Sequence, residues 1–354
     1  MKMKALGAAV LASSFALSAF AADTITFDAD GTGGANGDQV IGAFDWAAGS
    51  TLSDNSIPTG EGDSFDTYSH GTLIGFLDAD GDPAGAPTGI NTSFEITFTS
   101  GFTETVKTQT TAFISLDDGG DGVGVGGNDV YTFDTTITLE DATTQNVNFF
   151  KVYYDDLTDG SGLKSSSLAG TGFGDGLLIL DATVGVVSGN FTSTLQFIDL
   201  DNSGGYSAGD TIITVDLDDS SNGDNWSGQQ TLEGEGATAL QADAFYQDNN
   251  FFKDNISALI ADLFFNTSNV LPFQETNPSR LFDDGAGGTL TPTLGTINGW
   301  NGPDILFQTD ANGSFVKTMT VPEPGSLFLL GMGLCALGMA KRRRTDDQLK
   351  QMQA

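Results

Sequence analysis

Residues 199–210 read DLDNSGGYSAGD and place oxygen-bearing groups at the spacing of a cation loop. Counted from Asp199, Asp201 stands at position 3, Ser203 at 5, Gly204 at 6, Gly205 at 7, Ser207 at 9 and Asp210 at 12, which follows the EF-hand ladder. Ca²⁺ takes roughly six to eight oxygens, and a glycine at the middle position permits the sharp turn that lets alternate side chains face inward. Gly205 would contribute its carbonyl. The loop departs from an EF-hand in carrying Asp where the last ligand is Glu, Tyr206 where an aliphatic residue is usual, and flanks that read as strands. A β-flanked, weak extracellular Ca²⁺ loop is the expectation, against the plainer reading that Asp, Asn, Ser and Gly make good turns. Two related phrases, with Asp28, Asp30 and Asp38 and with Asp78, Asp80 and Asp82, lack a matching last ligand and read first as turns.

Other chemistry is scarce. One histidine, His70, and one cysteine, Cys335, rule out multi-His or multi-Cys zinc sites and a disulfide framework within the chain. No nucleophile elbow, P-loop or metalloprotease motif occurs. His70, in YSHG, reads as a hydrogen-bonding residue of a loop or cleft rather than a general base. Paired carboxylates could hydrolyse a glycosidic bond without histidine, but 47 acidic residues make some such pair inevitable, so the pairing carries no information. The chain is therefore expected not to be an enzyme.

The elements that would hold these loops are strands. Short β-branched and aromatic runs (94–99, 112–116, 130–139, 148–154, 177–180, 195–200, 211–217) alternate with Gly, Asn, Asp and Ser clusters. Phe94, Ile96 and Phe98, and again Ile213, Val215 and Leu217, alternate as antiparallel strands with one buried face do. The expectation is an all-β, sandwich-like antiparallel body over residues 22–318. One exception is expected: Ile256, Leu259, Ile260, Leu263 and Phe264 recur at helical spacing within 240–265, predicting a short amphipathic helix packed on a sheet. The Gly- and Ser-rich stretch 159–176 reads as a possible lobe boundary or as one long loop.

Both ends read as addresses. Residues 1–21 combine Lys2 and Lys4, an apolar run and the small-x-small pattern Ala19-Phe20-Ala21, predicting a signal peptide cut by signal peptidase after Ala21. At the far end Val321, Pro322, Glu323 and Pro324 precede an apolar segment, 326–340, and the cluster Lys341, Arg342, Arg343 and Arg344; a polar tail, 345–354, follows. Fifteen helical residues rise about 22 Å, short of the roughly 30 Å hydrocarbon core, and the basic cluster would stay cytoplasmic. Residues 319–344 resemble the PEP-CTERM sorting signal of Gram-negative bacteria. The resemblance implies transient anchoring in the inner membrane and recognition by an exosortase, a membrane enzyme that supplies its own nucleophile.

Without these addresses the body, 22–320, holds 6 basic and 44 acidic side chains, a net charge of 6 − 44 = −38. Such a surface repels phosphate backbones, which excludes nucleic acid as a partner. Bound cations would offset its self-repulsion and could bridge it to anionic sugars. Several blocks in the body, FDADGTGG (27–34), GAFDW (42–46), GFLDADG (75–81), INTSFEITFTSGFT (90–103) and GPDILFQTDANGSF (302–315), resemble flocculation-associated PEP-CTERM surface proteins. That resemblance implies a structural role at the cell surface or in the extracellular matrix, retaining exopolysaccharide and promoting flocculation or biofilm aggregation, with no catalytic residues. The alternative is a secreted carboxylate-dependent glycan hydrolase or lyase, with aromatic segments near Trp226 and Trp300 facing the substrate.

Overall fold

The computed structural model describes residues 23–32, 37–56, 60–117, 130–160, 162–166, 169–200, 210–212, 215–216, 231–266, 281–293 and 302–318. Every regular element among them is a strand. In chain order they are β1 (Ile25–Asp28), β2 (Asp38–Ile41), β3 (Ala43–Asp54), β4 (Ser64–Leu77), β5 (Pro83–Gly85), β6 (Phe94–Asp117), β7 (Val130–Asp141) and β8 (Asn148–Asp156). The second half adds β9 (Leu177–Ile198), β10 (Thr211–Ile212), β11 (Val215–Asp216), β12 (Thr231–Gln247), β13 (Ile256–Asn266), β14 (Phe282–Asp283), β15 (Thr289–Leu290) and β16 (Ile305–Lys317).

Hydrogen-bonded neighbours run β9, β7, β6, β4, β3, β16, β13, β12, and β12 then pairs with β9 again, from Glu233↔Thr194 to Gln247↔Leu180. Strand β8 extends the line of β7 between β6 and β9. The eight positions therefore close into an antiparallel up-and-down barrel whose seam joins β16 to β3. The antiparallel all-β expectation stands, and the two-sheet sandwich is corrected to a closed ring. Closure pairs both sides of the barrel strands and leaves those stretches no free edge.

The strands are also longer than the sequence runs predict. Residues 94–99 and 112–116 belong to the one strand β6, and 177–180 and 195–200 to β9 and its exit. The interrupting glycines sit inside strands where another group needs their space. A Cβ on Gly189 would stand 2.3 Å from Thr238 Oγ1 inside the barrel. The expected helix within 240–265 is two strands, β12 and β13, joined by a turn. In β13, beyond an irregularity between Ile256 and Ala258 where both of those residues are buried, Leu259, Ala261, Leu263 and Phe265 are buried at a period of two. Ala261 is too small to announce itself as core, and the outward Phe264 supplies a false helical repeat. Strands β8 and β9, on either side of 157–176, pair with each other. The body through Lys317 is one compact unit.

Phe94, Ile96, Phe98 and Phe102 of β6 face the interior with Phe44, Trp46, Phe150 and Leu263. Trp46 meets Phe98 edge-on at 4.8 Å, and Phe98 stacks on Phe150 at 5.2 Å. The β1–β2 pair plugs one end of the barrel with Phe27, Ala29 and Ile41, against Phe251 and Phe252 from the β12–β13 turn. Both chain ends of the body meet at this plug. The Asp23 amide donates to the Phe315 carbonyl, the Lys317 amide to Asp23 Oδ2, and Lys317 Nζ pairs with Asp254 at 3.1 Å. At the opposite end β6, β7, β9 and β12 run on past the first residues of β4 and β16 and the last of β13, where the loop at 199–210 leaves β9.

Candidate functional site

The pairing Thr211↔Ile198 brings the two ends of the 199–210 loop side by side, as a twelve-residue cation loop requires. Asp199 is buried, Leu200 is exposed, and the Leu200 amide donates to Asp210 Oδ1 at 2.8 Å. Asp201, Ser203, Gly205 and Ser207 lie outside the described residues, and among the described residues no three His, Cys, Asp or Glu side chains converge on a metal position. The geometry thus brings together the first and last of the proposed ligands. If the loop takes Ca²⁺, adding it to EDTA-treated protein raises Tm, and Asp199→Ala or Asp210→Ala reduces the rise, because a ligand held by the folded state alone stabilises it. A Tm unmoved by millimolar Ca²⁺ removes the assignment.

Of the two related loops, the one at 78–82 is a turn, and residues 33–36 of the other lie outside the described residues. Asp78 Oδ1 accepts from the Asp80 and Asp82 amides, and the Asp78 amide donates to the Asp82 carbonyl. Asp28 is fully buried and lies 3.3 Å from Lys253 Nζ.

His70 is a strand residue, placed on the outer face of β4 and buried between Phe173 at 4.0 Å and Phe282 at 4.8 Å. Burial pushes its pKa down to about 3, so it is neutral and a poor base at ordinary pH. Several neighbouring carboxylates have raised pKa values, Asp45 with Asp310 and Glu95 with Asp155 among them, and one further group has a value near the working range of a general acid. Asp54 and Asp66 stand opposite each other on β3 and β4, and burial together with Asp304 and Asp66 pushes Asp54 up to about 6. Two of the three carry structural bonds: Asp304 accepts from the Asn55 and Thr293 amides, and Asp66 from Thr103 Oγ1.

The functional group that sequence reading missed is Glu104, on β6. Its alternation with Phe98, Ser100, Phe102 and Val106 puts it in phase with the buried face, a signal present in the sequence. It is 1% exposed inside the barrel. Oε2 accepts from Thr67 Oγ1 of β4 at 2.7 Å, and Oε1 from Thr238 Oγ1 of β12 at 3.0 Å. Beside it lies a cavity of about 40 Å³ lined by Ser53, Ser56 and the rings of Phe65, Phe191, Phe265 and Phe307. Burial pushes the Glu104 pKa up to about 7, against the two hydroxyl bonds that favour its charged form.

The described residues end at Thr318, two residues short of a segment whose identity the comparisons establish. Residues 320–344 match the family model of the PEP-CTERM protein-sorting motif. The chain is thus a protein carrying a PEP-CTERM sorting signal, and the motif implies an exported product processed by an exosortase and anchored transiently in the membrane of a Gram-negative bacterium. Val321, Pro322, Glu323, Pro324, Lys341, Arg342, Arg343 and Arg344 all fall within the match. They lie outside the described residues, as do Ala19 and Ala21. No curated protein and no solved structure matches the chain.

Proposed function

We propose that this protein is a non-enzymatic surface or matrix component which, once processed by the exosortase, retains exopolysaccharide around the cell and promotes flocculation or biofilm aggregation. The carrying observation is the sorting motif joined to a closed acidic barrel. The blocks similar to flocculation-associated proteins support it, and so does the use of His70 and Asp304 in packing and backbone bonding. A net charge of −38 over residues 22–320 favours binding through divalent cations, with the 199–210 loop as the Ca²⁺ position.

Deleting the gene is expected to disperse flocs and release polysaccharide into the medium. A deletion strain that flocculates normally and keeps its polysaccharide overturns the reading. The second reading, a glycan hydrolase or lyase, is favoured by one observation, the raised pKa of Asp54 beside Asp66 and Asp304. Incubating the purified body with the native polymer separates the two: shortened chains, lost in Asp54→Asn, establish the enzyme.

A further inference from the structure

Among the described residues no Lys or Arg pairs with Glu104. The cavity beside it is lined by Phe65 of β4, Ser53 of β3, Leu139 of β7 and the rings of Phe191, Phe265 and Phe307, none of which titrates, and the one carboxylate placed opposite it in register, Asp141 at the end of β7, is exposed and accepts from the Val187 amide. Its two hydroxyl partners come from β4 and β12, so the side chain ties strands that are not neighbours in the ring. Thr67 Oγ1 is in turn 3.4 Å from Ser53 Oγ, either oxygen being able to donate, and the Ser56 hydroxyl donates to the Ser53 carbonyl. A hydroxyl chain therefore links the carboxyl through Thr67 to Ser53, which lines the cavity.

This chain accommodates both forms of the acid by rotation of hydroxyls. When the carboxyl is ionised, Thr67 and Thr238 both donate to it. When it is neutral, its O–H donates to Thr67 Oγ1, the Thr67 hydrogen turns to Ser53, and Thr238 still donates to the other oxygen. The neutral form leaves no buried charge. The ionised form has one charge with only two neutral donors, too few to replace its hydration, so water drawn into the 40 Å³ cavity competes with Thr67 and Thr238 for the carboxylate.

We propose that Glu104 is a proton-operated latch of the barrel, engaged while its carboxyl is neutral and released, with water entering the cavity and the β4–β12 tie loosening, when it ionises. An exported body meets the external pH directly, so the latch would couple its rigidity to acidification around the cell. The raised pKa sets the direction: the stabilisation is complete below the unfolded value of 4.5 and is lost as pH rises through about 7.

The test is a melting profile of the full body from about pH 5 to about pH 9, for wild type and for Glu104→Gln, whose amide imitates the neutral acid. Wild type is expected to lose Tm progressively up to about pH 7 and to level off above it, a fall that Glu104→Gln lacks, while the slope due to Asp54, whose pKa is pushed up to about 6, is common to both. In wild type the infrared carbonyl band of a buried neutral carboxyl should fade near pH 7, where the fall in Tm levels off. If Glu104→Gln does not fold, Thr238→Val replaces it: losing one donor to the ionised form moves the levelling-off and the fading of the band to higher pH. Superimposable profiles, or a carboxyl band that shows no change where the fall levels off, overturn the proposal.

Discussion

Replacing Pro322, Glu323 and Pro324 with alanine is expected to leave the chain unprocessed, so that cells accumulate a membrane-associated precursor in place of the trimmed product. The substitution touches residues 322–324 of the matched motif and lies beyond the last strand, β16, which ends at Lys317. Loss of the trimmed form therefore cannot be ascribed to a misfolded barrel. The apolar segment and the Lys341–Arg344 cluster are retained, so the altered chain keeps the parts of the motif expected to anchor it in the membrane. The expected effect is close to all-or-none, because a recognition sequence is either engaged by its enzyme or passed over. Intact mass measurement of the membrane and medium fractions decides it. Trimming of the altered chain at wild-type levels would mean that recognition lies elsewhere in the segment.

The largest effect on stability is expected from Phe27→Ala. Phe27 is fully buried and meets Phe44 and Phe252 edge-on at 5.0 Å each and Phe76 at 5.8 Å. It is the residue through which the β1–β2 plug enters the aromatic core. Truncation removes the ring's transfer free energy and leaves a void walled by rings that cannot all close over it, a loss of about 4 kcal/mol. The urea midpoint should fall with an unchanged slope. Phe113→Ala, at a side chain 54% exposed, is expected to change stability by less than about 1 kcal/mol. Equal effects at the two positions would show that the plug is not docked.

Some of this was legible in the residues and some was not, for physical reasons. The sorting tail was legible because its parts are contiguous, and the match over 320–344 establishes it. Strand character was legible wherever period-two alternation was clean, as in Phe94, Ile96 and Phe98. Closure was not, since it rests on pairing Glu233–Gln247 with Leu180–Thr194, a long-range register with no local signature. Nor was strand length: glycines such as Gly189 read as turn residues, although this one makes room for Thr238 beside Glu104. The helical reading of β13 failed because Ala261 faces the core and Phe264 does not. At the acidic loop, the register of β9 with β10 brings Asp199 near Asp210, while the four ligands between them lie outside the described residues.

The meeting of the body's first and last strands at the plugged end has a mechanical consequence. A load applied through Thr318 along β16 is carried by a strand bonded on one side to β13 and on the other to β3 over most of its length. Those bonds would then be strained together in shear instead of peeling one at a time, and the Lys317–Asp254 and Asp23–Phe315 contacts lock the pulled end to its neighbours. A pull on this end would have to break many bonds at once before the barrel opened.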